Sequence, residues 1–150
     1  MDIDAVLTAL ENHATTAGAA VTPALTDVTA GLPVPRGRCV RIYWDGEIDP
    51  PRMTGRVPLS SEMIGDRLMV TAFWPVGDAG EAAHRNRILE MWGFAAALRT
   101  ALDTDMTLGG EVQTIRVGDA TPGVTTEGGG WYATVDTPVE IGYREQEIHG

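Results

Sequence analysis

From Trp131 to Tyr143 the chain alternates. Trp131, Ala133, Val135, Val139, Ile141 and Tyr143 share one parity, and Tyr132, Thr134, Asp136, Pro138 and Glu140 share the other. Successive side chains of a strand point to opposite faces, so this run predicts one long strand with an apolar face to bury. Such a strand cannot stand alone. It needs hydrogen-bonding neighbours and a layer over its apolar face. Pro138 lacks an N–H and predicts an edge position or a bulge.

Three further runs supply the neighbours. In Arg38–Trp44, Val40, Ile42 and Trp44 oppose Cys39, Arg41 and Tyr43. In Arg67–Pro75, both parities are mostly apolar, which predicts a central strand covered on both sides. Val112–Val117 alternates again. The connector Ala19–Gly37 holds Pro23, Pro33 and Pro35 and reads as irregular, with a short strand around Leu25–Thr29.

Two stretches have the helical period. Ile3, Val6, Leu7, Leu10, Ala14 and Ala17 recur at three- and four-residue steps, with Asp2 placed to cap and Gly18 to end the helix. His13 lies at the edge of that face and reads as a partly buried packing residue. The second helix runs from Asp78 to Leu102, with Asp78 and Glu81 at capping-box spacing. Its expected buried stripe is Ile88, Met91, Trp92, Ala95, Leu98 and Leu102. Phe94 and Leu89 fall on opposite shoulders outside the stripe, and Arg99 projects between Ile88 and Trp92.

The seam after that helix reads DTDMTLGGEVQ. Asp103, Thr104 and Asp105 continue a helix poorly. Leu108 then predicts an apolar plug for the end of the core, and Gly109–Gly110 a sharp turn.

The order helix, strand, loop, strand, helix, strand, strand predicts an α+β fold: a mainly antiparallel four-stranded sheet with two helices packed on one face and long loops. A chain of 150 residues suits a single domain, 1–150. Two long loops interrupt it: a Pro-rich arm at 45–66, three prolines and three glycines among scattered apolar residues, and a mobile hairpin loop at 118–130.

The chain carries a formal net charge of −10, and all eleven of its Lys/Arg residues are arginine. Scattered arginines on an acidic chain argue against wrapping nucleic acid, which requires clustered positive charge. The lone Cys39 excludes an internal disulfide and reads as a buried, inert thiol. His13, His84 and His149 are far apart in the sequence and show no metal-ligand spacing. Asp45, Glu47 and Asp49 lack the regular ligand positions of a calcium loop. His84-Arg85-Asn86-Arg87 is the densest polar cluster; it reads as a solvated helix face or an ion-pairing surface, with anion binding as the sharper alternative. No P-loop, nucleophile elbow or dinucleotide fingerprint is present, so no enzyme, no cofactor and no metal is expected. The acidic, amphipathic N-terminus does not read as a signal peptide, no apolar run reaches membrane-spanning length, and a soluble protein made in a cytoplasm is expected.

The order of elements, the helix RNRILEMWGFAAALRTAL, the seam DMTLGGEVQTIRVGD and the strand WYATVDTPVEIGY together resemble the tail terminator proteins of long-tailed bacteriophages, and more loosely their minor tail and head–tail joining relatives. The resemblance spans roughly Asp2 to Tyr143 and carries no catalytic residues. It implies a virion tail protein: a ring, commonly of six subunits, that stops tail-tube growth and presents a surface to the head connector. Its partners would be further copies of itself, the tail-tube protein and the head–tail connector protein, with DNA passing through the lumen without specific binding. A closed ring needs a second apolar surface besides the core. The candidates for subunit contact are Leu89, Phe94, Ile48, Met53, Val57, Leu59, Arg85 and Arg87. A head–tail adaptor and a small cytoplasmic ligand-binding module remain the alternatives.

Overall fold

The computed structural model describes residues 1–18, 20–21, 37–51, 63–77 and 81–144. In chain order these form α1 (Ile3–Thr16), β1 (Ala20–Val21), β2 (Cys39–Ile48), β3 (Met63–Pro75), α2 (Glu81–Asp103), β4 (Thr114–Val117), β5 (Thr121–Glu127) and β6 (Gly130–Arg144). The sheet order is β1-β2-β3-β6-β4, and β5 also pairs with β6. Among the described residues only β1 runs parallel to its neighbour; every other pairing is antiparallel. This is the α+β architecture expected, with the four predicted strands present and β1 and β5 added to them. The suggested strand at Leu25–Thr29 and the cap at Asp78 lie outside the described residues.

Register explains the layers. Val40, Ala72 and Val135 are opposed across three strands, as are Trp44, Leu68 and Val139. Residues directly opposite each other share a face. That face carries Ile42, Val70, Ile115 and Ile141, which join Val6, Leu7, Leu10 and Ala14 of α1 and Phe94, Leu98 and Leu102 of α2 in one hydrophobic core. The other face is buried around β3 as well: Phe73 is inaccessible, with the Arg41 guanidinium 4.7 Å from its ring centroid and Tyr132 edge-on at 6.0 Å. The two apolar parities of β3 thus correspond to a central strand with two covered faces.

The long loops are shorter than expected. β2 continues through Asp45–Ile48, with an irregularity between Trp44 and Glu47 that holds Gly46. β3 already starts at Met63. Between them, 49–51 strap across the sheet: a Cβ on Gly65 would lie 2.6 Å from the Pro50 nitrogen, and Thr114 Oγ1 donates to the Pro51 carbonyl at 3.0 Å. Residues 52–62 lie outside the described residues. The predicted loop 118–130 is a strand for most of its length, because β6 offers it a free edge. β5 pairs from Thr121 opposite Asp136 to Glu127 opposite Gly130. Pro138 is also corrected: β6 is interior rather than an edge. The proline faces the break between β4 and β5, where Gly118 N donates to its carbonyl at 2.8 Å. Its missing N–H points into that break, so no ladder bond with β3 is lost.

Asp2 caps α1 as predicted, its Oδ1 accepting from Ala5 N at 3.2 Å. The seam also forms as expected, with one addition. Leu108 is fully buried, yet its own φ is +48°, and Gly109 and Gly110 follow at +70° and +93°. Three successive left-handed residues reverse the chain within a few bonds, and a leucine accepts that strain only because its side chain fills the core. Asp105 organises the turn. Its carboxylate accepts from Gly109 N at 2.8 Å and contacts His13 Nε2 at 2.7 Å, tying α1 to the end of α2. The hydrogen bond with His13 first, and the Gly109 amide second, hold the Asp105 carboxyl below its ordinary value.

Two outcomes are expected. Leu108→Ala lowers stability by about 2–5 kcal/mol in chemical denaturation, the range for emptying a buried leucine site. Asp105 has a depressed folded pKa, so its stabilisation is complete above roughly pH 3.9 and is lost as pH falls through the lower folded value. Asp105→Asn therefore costs about 1 kcal/mol near neutrality, and its stability gap to the wild type narrows in urea titrations repeated at descending acidic pH.

Candidate assembly surface

The helix α2 has two apolar arcs, and its neighbours decide which one is buried. Phe94, Leu98 and Leu102 face the sheet, with Phe94 only 4% exposed and edge-on to Trp74 at a centroid distance of 5.6 Å. Ile88, Leu89 and Trp92 face outward; Trp92 is 73% exposed and Leu89 57%. Trp74 Nε1 donates to Glu90 at 3.2 Å, which fixes the rotation of the helix over β3.

The outward arc borders an open groove of about 640 Å³ between α2 and the start of β5. Ile88, Met91, Trp92, Ala95 and Ala96 form the helix wall, and Ala120, Pro122 and Val135 form the sheet wall. Arg99 closes one end. Its guanidinium donates to the Gly118 carbonyl at 2.5 Å and the Val117 carbonyl at 3.4 Å, and lies 4.0 Å from Asp119. Arg99 therefore clamps the β4–β5 crossover onto α2, and this clamp forms the groove. Beyond the groove, the β5–β6 hairpin exposes Val124 and Trp131.

A third exposed aromatic stands at the far corner of the sheet. Trp44, 54% exposed, donates from Nε1 to Asp66 Oδ1 at 2.9 Å. Tyr143 OH donates to the other oxygen of Asp66. Burial first, then the adjacent Asp66 carboxylate, push the Tyr143 phenol well above its ordinary value and keep it a neutral donor. Asp45, Glu47 and Asp49, all exposed, follow Trp44 along the chain, with Asp45 turned toward Arg67 at 3.9 Å. Among the described residues, no three His, Cys, Asp or Glu side chains come together as a metal-binding group, and no helix is long and apolar enough to cross a membrane. Cys39 is buried.

The residues anticipated for subunit contact are divided by the structure. Leu89 and Arg85 are exposed on α2, Arg87 is half-buried near the start of the same helix, and Ile48 is half-buried at the end of β2. Phe94 is a correction: it belongs to the core and is unavailable to a partner, because α2 turns that shoulder toward Trp74. Met53, Val57 and Leu59 lie outside the described residues. Conversely, Ile88 and Trp92, expected in the buried stripe, are exposed groove residues. Arg99 projecting between them is the signal in the sequence, since a helix seldom points arginine into an apolar core.

The described residues form an α+β domain with a mainly antiparallel sheet and an open apolar groove beside a surface helix. No protein-family model and no curated protein matches the chain. One solved structure is similar over 94% of this chain and 96% of its own length, at 18% identity and a TM-score of 0.41.

The two aromatic residues of α2 should respond in opposite ways to truncation. Phe94→Ala is expected to cost about 3–5 kcal/mol, as for other buried phenylalanines. Trp92→Ala is expected to stay within about 0.5 kcal/mol of the wild type, the usual range for surface changes. Thermal and urea unfolding of both variants checks the assignment of the two arcs.

Proposed function

We propose that this chain is a structural subunit of a bacteriophage tail, a terminator-like protein that forms a ring on the tail tube and offers its outer surface for head attachment. The observation that carries the reading is the outward arc of α2. Ile88, Leu89 and Trp92 are large, apolar and exposed together, and Ile88 and Trp92 line an open groove rather than a closed chamber. Exposed apolar patches on otherwise ordinary domains mark sites of association. The resemblance of the element order and the seam to tail terminators supplies the biological setting, and the −10 charge suits a lumen through which DNA passes without adhering. In this reading the protein works by shape and carries no catalytic group. It would act in the virion tail, after assembly in the host cytoplasm.

The groove volume favours one further reading, a small ligand-binding module, because about 640 Å³ lies within the range of small-molecule sites. Polar groups converging inward would be expected there. The groove instead has one arginine at its end, already bonded to backbone carbonyls.

Size-exclusion chromatography with light scattering, alone and with the cognate tail-tube protein, tests the proposal. The expected result is a closed oligomer, formed at high concentration or on the tube. A strict monomer under both conditions overturns it.

A further inference from the structure

We propose that the groove of α2 on one copy receives the acidic, Trp44-bearing corner of β2 from the next copy. This deepens the ring reading above and rests on it. Three observations favour this occupant over others.

The first is charge. The start of α2 presents His84 and Arg85 beside the apolar arc, and Arg85 makes no ion pair among the described residues. The Trp44 corner presents the opposite sign. Glu47 and Asp49 make no ion pair among the described residues, and Asp45 has only a loose contact with Arg67 at 3.9 Å. On a chain of net charge −10, copies repel each other unless a basic patch meets an acidic one.

The second is shape. The corner carries an exposed indole, held at Nε1 by Asp66, and the groove is an open apolar slot flanked by Trp92 and Pro122. Aromatic residues seated in apolar slots with charged rims are the usual anchors of interfaces.

The third is placement. Trp44 aligns with Val139 across the sheet, whereas the groove residue Val135 aligns with Val40. The two patches are thus four residues apart along the strands, and β5 lies three strands from β2, a diagonal of roughly 20 Å from strand spacing alone. Two distant, unlike, complementary patches make a head-to-tail contact, which is the type that builds rings. A groove-to-groove contact would instead bring two copies of the same basic patch into one interface.

The test uses the full chain in sedimentation velocity and native mass spectrometry. Arg85→Glu and Glu47→Arg are each expected to weaken self-association about tenfold or more, as charge reversal at an interface does. Mixing the two variants is expected to restore it. The reversed groove of the first then meets the reversed corner of the second, and each variant's unaltered patch meets the other's. Circular dichroism confirms that both variants fold, and a variant that only damaged the fold would not be rescued by its partner. A wild-type oligomer indifferent to both reversals, or a mixture that fails to recover, overturns this inference and leaves the ring reading standing. A wild type that stays monomeric alone and with the tail-tube protein overturns both.

Discussion

The pairing of β3 with β6 carries the molecule. The two strands run antiparallel from Met63 opposite Arg144 to Pro75 opposite Tyr132, without a break in register. Their common face holds Leu68, Val70, Ala72 and Trp74 against Val139, Val135 and Ala133, and both helices lie over it. Because side-chain direction alternates strictly, a one-residue slip would turn this whole set to the wrong face. β2 adds to the free edge of β3, while β4 and β5 share the free edge of β6. The ladder also carries polar groups across the other face. Arg67, Glu140 and Arg116 stand in line on three strands, with Glu140 buried between the two guanidinium groups.

This sheet has consequences for α2. The helix is long, and its inner arc is anchored by Phe94, Leu98 and Leu102. The remainder overhangs an edge that is interrupted where β4 gives way to β5. An interruption leaves a trough, and Arg99 closes its end by holding the crossover carbonyls against the helix. The groove is thus a product of an incomplete sheet edge and one arginine. The docking surface proposed for this protein follows from that incompleteness, since a continuous outer strand would bring side chains up against Ile88 and Trp92.

Much of the fold is legible in the order of residues alone. α1 has a single apolar arc and a capping aspartate, so its limits follow directly from Asp2 and Gly18. The four main strands are legible because alternation over many residues has no helical equivalent. The seam is legible too, since a leucine before two glycines, after poor helix formers, has few other uses. β5 is not. The run TPGVTTE has neither apolar alternation nor strand-forming composition at Pro122 and Gly123, and it becomes a strand because β6 leaves donors and acceptors unpaired along that edge. The same non-local reason extends β2 and β3 into the supposed arm.

Periodicity and charge are local properties of the chain, so they suffice for the class of the fold, for the strands that could form a two-layer core and for the acidic, lysine-free surface. Which arc of α2 lies inside is a matter of packing. Phe94 and Trp92 are two residues apart on a helix with apolar side chains around most of its circumference. Their spacing alone does not say which one meets Trp74 and which one meets solvent; Arg99, projecting between Ile88 and Trp92, is the local sign. That choice depends on where the sheet edge ends and on what Glu90 and Arg99 bond to, and those partners lie on other elements of the chain.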